Sequence, residues 1–216
     1  MILYGDSLAR EAAAEFTAQL CAPTVEVLTR TQPGAALCDF TTLIESEADA
    51  LAPDIVLIQF SGNRITPCVS DGQGAPLAGA ALWARYESDA ESIAAFFDTR
   101  AVDVAWVAPP GVVGGAEPPL RAVFERVVAA HLATASIIDG GVGLRDATGI
   151  YRLEVPCLPE EAALSSCFQG QITVRLPIDG FHFCPVLAPD ACPAYNAGAV
   201  RFGRALANPV RTALGI

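Results

Sequence analysis

The feature that most constrains the fold of this chain is an alternation of short apolar runs with segments of helical period. Four segments have apolar residues at helical spacing, at 7–20, 38–52, 82–100 and 117–133. The apolar runs around them are ILYG at 2–5, VEVLT at 25–29, DIVLIQF at 54–60, VDVAWVA at 102–108 and ASIID at 135–139. Central runs that are apolar on both faces are typical of a parallel sheet covered by helices. The pattern therefore predicts an α/β fold, a three-layer α/β/α sandwich with a mainly parallel five-stranded sheet.

The alternation of apolar runs with helical segments ends after residue 140. Segments 144–155 and 170–176 are predicted to pair as a small hairpin, and residues 197–214 to form a last helix that is interrupted near Pro209. The stretch 156–196 is rich in proline and cysteine. We therefore expect a single domain over residues 1–216, in which residues 144–196 form a loop-rich cap rather than a second domain.

Residues that directly follow the strands are the candidates for a site, because such sheets bind ligands beyond the carboxyl ends of their strands. The first strand is followed by Gly5-Asp6-Ser7-Leu8, which opens a helix. There the Ser7 hydroxyl is expected above the sheet edge, and its backbone N–H lies at a helix N-terminus, where negative charge is stabilised. The alternative is that Ser7 is only an N-cap after a tight turn.

Three further segments fall where the topology brings them to the same edge. Gly34 follows the second strand and Gly62-Asn63 follows the third, although each also suits an ordinary turn or loop. Asp179 and His182 lie three residues apart near the C-terminus, a spacing that lets the carboxylate hold the imidazole. A serine hydroxyl is a poor nucleophile until an imidazole takes its proton, and that imidazole needs a carboxylate to fix its tautomer.

The order GDSL, glycine, GxN and DxxH spans most of the chain and resembles the conserved blocks of the SGNH, or GDSL-type, hydrolases. The resemblance implies a flavodoxin-like SGNH hydrolase fold and a covalent acyl-enzyme mechanism with no metal or organic cofactor. In that family the serine attacks an ester carbonyl, the histidine is the base and the aspartate orients its ring. At the matching positions these are Ser7, His182 and Asp179. The family's oxyanion hole maps onto the N–H groups of Ser7 and Gly34 and the Asn63 amide.

Three other side chains compete with or adjoin this set. His131 is the only other histidine and lies inside a helical run, so His182 is the candidate base. A thiol enzyme using Cys184 beside His182 is a poorer hypothesis, because no helix N-terminus is predicted there to favour the thiolate. Arg64 follows Asn63, where many family members have aspartate. It either points to solvent, pairs with a nearby acid, or lies at the pocket rim and binds a substrate carboxylate or sugar hydroxyl.

The chain has seven cysteines, four of them in two local pairs, Cys157 with Cys167 and Cys184 with Cys192. Disulfides, and hence a secreted or extracytoplasmic cell-envelope protein, are favoured over reduced cysteines in a cytoplasmic one. Zinc is disfavoured, because there is no CxxC pair and there are only two histidines. Cys38 and Cys68 are further disulfide candidates, and Cys21 is the candidate for the unpaired cysteine.

The net charge of the protein limits the classes of molecule that it is expected to bind. Its formal net charge is −11, with a pI near 4.5, which argues against nucleic acid and against an anionic membrane surface. No apolar stretch approaches the roughly 18 to 20 residues of a spanning helix, so we expect no transmembrane segment in this chain. A small-molecule or glycan ester suits such a protein better.

The function predicted from these observations is hydrolysis or transfer of a short acyl group, in the first place acetyl, on a carbohydrate or cell-envelope glycan. A lipase-type esterase is disfavoured, because the sequence has no long apolar segment to line a fatty-acyl tunnel. The alternative of another class is a non-catalytic glycan-binding domain with the same fold. The resemblance extends to SGNH proteins that are appended to, or work with, membrane acyltransferases, although fold alone does not fix a substrate.

Overall fold

The structure is a computed structural model that describes residues 1–115, 117–184, 192 and 195–216. The predicted sandwich is confirmed, with five parallel strands in the order β2-β1-β3-β4-β5. The strands of this sheet are β1 (Ile2–Gly5), β2 (Leu28–Thr31), β3 (Ile55–Gln59), β4 (Asp103–Ala108) and β5 (Ala135–Asp139). The helices are α1 (Ser7–Gln19), α2 (Thr41–Leu51), α3 (Gly79–Asp98), α4 (Pro119–Ala130) and α5 (Ala197–Leu214).

The sheet is buried on both faces because successive side chains of its central strands point to opposite sides. On β3, Val56 and Ile58 enter one apolar core, whereas Leu57 between them enters the other. On β4, Trp106 lies in the first core and Val107 in the second. Helices α2, α3 and α4 supply the first core, and the α1–α5 pair supplies the second.

The strand order places a topological switch point between β1 and β3. From β1 the chain moves outward to β2 and then returns across β1 to form β3. The loops that leave β1 and β3 therefore diverge to opposite faces and open a crevice beyond their carboxyl ends, the usual ligand position in this architecture. Ser7 follows β1 and Asn63 follows β3, so the topology alone puts both residues at this crevice.

Several boundaries differ from the predicted ones. The second strand was expected at 25–29, but it begins at Leu28, because its pairing with β1 runs from Ile2 opposite Leu28 to Gly5 opposite Thr31. The predicted helix at 82–100 begins earlier, at Gly79, and ends at Asp98. The predicted helix at 117–133 covers only Pro119–Ala130, since the two prolines suit its first turn and His131 ends it.

The expected interruption of the last helix was wrong. Helix α5 is continuous, with Pro209 inside it. An interior proline removes one backbone hydrogen bond and strains the preceding turn, at a cost of about 3 kcal/mol. The helix persists because Pro209 itself faces solvent, while Leu206 and Val210 beside it are buried in the core that α1 shares.

The predicted hairpin is present as a short antiparallel pair, β6 (Glu154–Pro156) with β7 (Gln171–Thr173). Residues 185–191 and 193–194 of the predicted cap lie outside the described residues. In the part of the chain that the structure describes, no helix is both long and apolar enough to cross a bilayer.

Candidate active site

Ser7 is the first residue of α1 and lies directly above the end of β1. The turn needs glycine at position 5, because a Cβ on Gly5 would lie 2.4 Å from the Ala9 Cβ and 2.6 Å from the Gln59 carbonyl oxygen. Asp6 caps the helix by accepting a hydrogen bond from the Leu8 N–H. The Ser7 N–H has no acceptor among the described residues, so it remains available at the positive end of the helix.

The side chains of Ser7, His182 and Asp179 form one hydrogen-bonded chain, although 175 positions separate the first two in sequence. Ser7 Oγ lies 3.0 Å from His182 Nε2, and His182 Nδ1 lies 2.8 Å from Asp179 Oδ2. A carboxylate only accepts, so Nδ1–H donates to Asp179 and Nε2 is left to accept from the serine hydroxyl. This is the arrangement in which an imidazole can remove the serine proton.

Asp179 is held as an anion by its own loop. Partial burial acts to raise the pKa of Asp179, but hydrogen bonds from the Phe181 N–H and from the His182 ring and N–H outweigh it. The pKa of this carboxyl therefore lies below its usual value, and Asp179 stays ionised at neutral pH. Its Oδ1 also accepts the N–H groups of Phe181 and His182, at 2.8 and 3.1 Å, so the carboxylate organises the turn that carries the imidazole.

The other two residues predicted for the oxyanion hole, Gly34 and Asn63, adjoin the serine turn. Gly34 is exposed, has a φ of 77° that favours glycine, and its N–H has no acceptor among the described residues. Asn63 Nδ2 donates to Asp6 Oδ2 and to the Ala35 carbonyl, each at 3.0 Å. The amide thus connects the residue before Ser7 with the residue after Gly34. An oxyanion would have to share or replace one of these two hydrogen bonds of Asn63.

Asp6 is a residue of this site whose part the sequence analysis missed. Its carboxylate is completely buried and accepts four hydrogen bonds, from the Leu8 N–H, the Ser61 N–H and hydroxyl, and the Asn63 amide. Burial raises the pKa of Asp6, while its hydrogen bonds with Ser61 and Leu8 act to lower it. In sequence Asp6 resembles any turn aspartate, and only its place between glycine and serine in the GDSL block signals a role.

Arg64 lies away from this network. The residue is exposed, and it makes no ion pair or side-chain hydrogen bond with any residue that the structure describes. Pairing with a nearby acid is therefore not found in the described part of the chain. A solvent-facing side chain and a contact at the pocket rim both fit the exposure of Arg64.

His131 lies beside the amino end of β5, whereas Ser7 lies at the carboxyl ends of the parallel strands. It ends α4 and sits between two carboxylates of α3, with Nδ1 2.5 Å from Asp98 and Nε2 2.8 Å from Glu91. The hydrogen bond with Asp98, followed by that with Glu91, raises the pKa of His131. This histidine therefore joins two helices and is remote from Ser7.

The predicted disulfides are present, and they leave Cys21 as an exposed free cysteine. Cys38–Cys68 joins the loop after β2 to the loop after β3, which are the loops of Gly34 and Asn63. Cys184 is bonded to Cys192, so it has no thiol to serve as a nucleophile. Those two sulfurs also lie near a carboxylate oxygen of Glu11, but disulfide sulfurs are not the thiolates that bind zinc.

Fold and geometry together define a three-layer α/β protein with a Ser-His-Asp arrangement at the switch point of its sheet. Solved structures with the same architecture include an acetylxylan esterase, Axe2 of Geobacillus stearothermophilus, with a TM-score of 0.57 at 14% identity over 100% of this chain and 93% of that one. A putative lipolytic protein of the G-D-S-L family from Desulfitobacterium hafniense aligns with a TM-score of 0.53 at 10% identity, over 96% and 97% of the two chains. LAE5, an alpha/beta hydrolase enzyme from the metagenome of Lake Arreo, gives a TM-score of 0.59 at 14% identity, over 99% and 94%.

The chain therefore has the fold of the SGNH, or GDSL-type, hydrolases. No protein-family model and no curated protein sequence matches the chain. At these identities the structural likeness establishes the fold, and the chemistry has to be argued from the site itself.

Proposed function

We propose that this protein is a carboxylic ester hydrolase that works through an acyl-enzyme on Ser7. The observation that carries the proposal is the hydrogen-bonded chain from Ser7 Oγ through the His182 ring to Asp179. Ordering three polar side chains at a partly exposed sheet edge costs conformational entropy. The arrangement is therefore better explained by a catalytic role than by an incidental contact. A non-catalytic glycan-binding domain would have no need of it.

We assign one or more residues to each step of the proposed reaction. His182 Nε2 takes the Ser7 proton as Oγ attacks the acyl carbon, and Asp179 stabilises the imidazolium that forms. The N–H groups of Ser7 and Gly34, with the Asn63 amide, stabilise the negative oxygen of the tetrahedral intermediate. The alcohol leaves with the proton from His182, and water then attacks the acyl-Ser7 ester by the same route to release the acid.

The substrate class we propose is a short acyl ester, in the first place an acetyl ester, of a carbohydrate or cell-envelope glycan. The protein carries a strong net negative charge, which disfavours anionic polymers and anionic membrane surfaces as substrates. One protein with the same fold is an acetylxylan esterase, which makes acetylated sugars a reasonable first choice. Transfer to an alcohol in place of water, and cooperation with a membrane acyltransferase, remain predictions.

We further propose that residues 1–216 form a single hydrolase domain that works outside the reducing cytoplasm. Its three disulfides support this location, because such bonds persist in oxidising compartments.

The test is a comparison of aryl esters of increasing acyl length, with acetylated sugars as natural-type substrates. We expect the aryl acetate to be turned over far faster than long-chain esters, and the Ser7→Ala variant to be inactive on all of them. Equal turnover of long chains would indicate a fatty-acyl site and a lipase-type esterase. Hydrolysis that persists in Ser7→Ala would overturn the proposed nucleophile, and adding sugar acceptors distinguishes hydrolysis from transfer.

A further inference from the structure

Glu11 links the helix that carries the candidate nucleophile to the loop that carries the candidate base. It lies four residues after Ser7 on α1, so both side chains emerge on the same side of the helix, one turn apart. Its Oε2 accepts the N–H of Phe183 at 2.7 Å and that of Cys184 at 3.3 Å. These are the two residues directly after His182. Glu11 therefore connects the first helix with the loop that carries His182, one helical turn away from Ser7.

The backbone around His182 is almost completely hydrogen-bonded, which shows how strongly its position is determined. Glu11 accepts from two of its N–H groups, and Asp179 accepts from two others. The carbonyls accept hydrogen bonds as well, from donors in two other segments: Phe181 from the Arg175 guanidinium, His182 from the neighbouring Leu176 N–H, and Phe183 from the Asn196 amide. In this set Glu11 is the only acceptor that belongs to α1.

Charge around the imidazole comes from four groups in the described part of the chain. Asp6, Asp179 and Glu11 are the acids that interact electrostatically with His182 or with one another. Arg175 faces them as the balancing cation: it is 1% exposed, donates to the carbonyls of Phe181 and Gly111, and interacts with Glu11 and Asp179. Tyr151 is the remaining titratable group against Arg175.

Burial raises the pKa of Glu11, while the hydrogen bond from the Phe183 N–H and the nearby His182 act in the opposite direction. The buried Glu11 carboxylate is thus only partly compensated by its present neighbours, and a further cation beside it would stabilise its charged form. That cation forms during the proposed reaction, when His182 holds the serine proton.

We propose that Glu11 is a positioning residue that holds the His182 ring within hydrogen-bonding distance of Ser7 and supplies a second negative charge that stabilises the imidazolium. This inference rests on the proposed function. While the proton of Ser7 resides on Nε2, Asp179 contacts the ring directly at Nδ1, and Glu11 acts on it through the loop and through space. When the alcohol leaves, the proton passes to it and the charge at His182 disappears again.

Two variants separate the two effects of Glu11. Glu11→Gln keeps an acceptor oxygen for the Phe183 N–H but removes the charge, whereas Glu11→Ala removes both. The matched control is Glu15→Gln, one turn further along α1, where the carboxylate pairs with Arg204 at 2.9 Å and does not contact the His182 loop. All three are compared with the wild type in kcat, KM and the pH dependence of kcat/KM on an aryl acetate.

We expect Glu11→Gln to move the acid limb of kcat/KM to lower pH by about half a pH unit, because protonating a base is harder once a neighbouring anion is gone. Its kcat should fall roughly tenfold with little change in KM. Glu11→Ala should lose about 10²-fold in kcat, since the imidazole is also misplaced. Glu15→Gln should keep the wild-type pH profile and kcat.

A second measurement does not depend on turnover. The chain has only two histidines, so in a His131→Gln background the His182 ring gives a single set of imidazole signals. We expect these signals to titrate at lower pH when Glu11→Gln is added. An active wild type with a Glu11→Gln variant that matches Glu15→Gln in pH profile, kcat and imidazole titration would overturn the inference. A wild type that hydrolyses no ester would instead overturn the proposed function, while the titration would still decide the role of Glu11.

Discussion

Asp6 shows at the residue scale why a site is more than its reacting groups. Its buried carboxylate accepts donors from α1, from Ser61 and from Asn63, and so holds the loop after β3 against the serine turn. Each of these hydrogen bonds matters more than a surface one, because a buried polar atom without a partner costs about 1 to 3 kcal/mol. The position of Asn63 therefore depends on Asp6 as much as on its own loop.

Asn63→Ala is expected to lower kcat by roughly 10² to 10³ and to change KM little, because the amide donates to charge that exists only in the transition state. The variant keeps Ser7 and His182, so reaction of Ser7 with a fluorophosphonate should persist. Steady-state kinetics on an aryl acetate checks the first point. Asn208→Ala, on the exposed side of α5, is the control and should match the wild type. A kcat of Asn63→Ala close to that of the wild type would remove Asn63 from the proposed oxyanion hole.

Ser7, Asp179 and His182 were predictable as candidates because their residue types and order match a known set of blocks. Asp6 and Glu11 were not, since each resembles an ordinary turn or helix acid in sequence. Their partners lie up to 173 positions away, and only the folded chain shows that these acids accept backbone N–H groups of other loops. Sequence patterns indicate reacting groups better than they indicate the groups that hold them.

At the scale of elements, the spacing of apolar residues predicted the strands and helices well, and the pairing between strands determined where the strands begin and end. Strands β1 and β5 have the predicted bounds, because each is a short apolar run between turn residues. Strand β2 is half-buried at the sheet edge, so its apolar pattern is weaker and its bounds follow from its register with β1. Local rules also predicted a break at Pro209, but tertiary packing of α5 outweighed them.

The Cys38–Cys68 disulfide joins the two loops that carry Gly34 and Asn63, and its removal should affect both stability and catalysis. With 30 positions between the cysteines, Cys38→Ser/Cys68→Ser should lose about 3 to 4 kcal/mol of unfolding free energy. We also expect kcat to fall, because the loops of the proposed oxyanion hole lose their covalent connection. Denaturant unfolding and kinetics test both points.

The control for this variant is Cys157→Ser/Cys167→Ser, which opens a loop of 10 positions beside the small sheet. It should lose about 2 to 3 kcal/mol and keep its kcat. Equal losses of kcat in the two double variants would show that the Cys38–Cys68 disulfide serves overall stability and not the site.

His131 ties α4 to α3, and its contribution to stability should depend on pH. The hydrogen bonds with Asp98 and Glu91 raise the pKa of His131 above its ordinary value of 6.5. The stabilisation is therefore fully present below that ordinary value and disappears as the pH rises through the raised pKa. Relative to His131→Gln, the wild type should gain about 0.5 to 1 kcal/mol near pH 6 and almost nothing near pH 9.

Unfolding free energies of both proteins, measured across this range, check the sign of the effect. Kinetics on an aryl acetate provide the control, because His131→Gln should keep the kcat of the wild type. An advantage of the wild type that grows with pH would contradict the assignment of the two helix-joining hydrogen bonds.

For the whole molecule, the order of the sheet explains how residues from both ends of the chain meet. The switch point between β1 and β3 opens the crevice, and the chain must return from α4 and β5 to bring His182 to it. The sequence predicted this α/β architecture from the alternation of apolar runs. It did not predict distances, because the Ser7–His182 contact depends on the path of residues 140–184, whose strands β6 and β7 are only three residues long and are joined by loops.

The most direct test of the account is labelling of the native protein with a fluorophosphonate, followed by intact mass measurement and peptide mapping. We predict one adduct per chain, on Ser7, and none in Ser7→Ala. His182→Ala should label much more slowly, because the hydroxyl then has no base, whereas Ser61→Ala should keep the adduct. No adduct on the wild type, or an adduct on another serine, would contradict the central claim that Ser7 is an activated nucleophile.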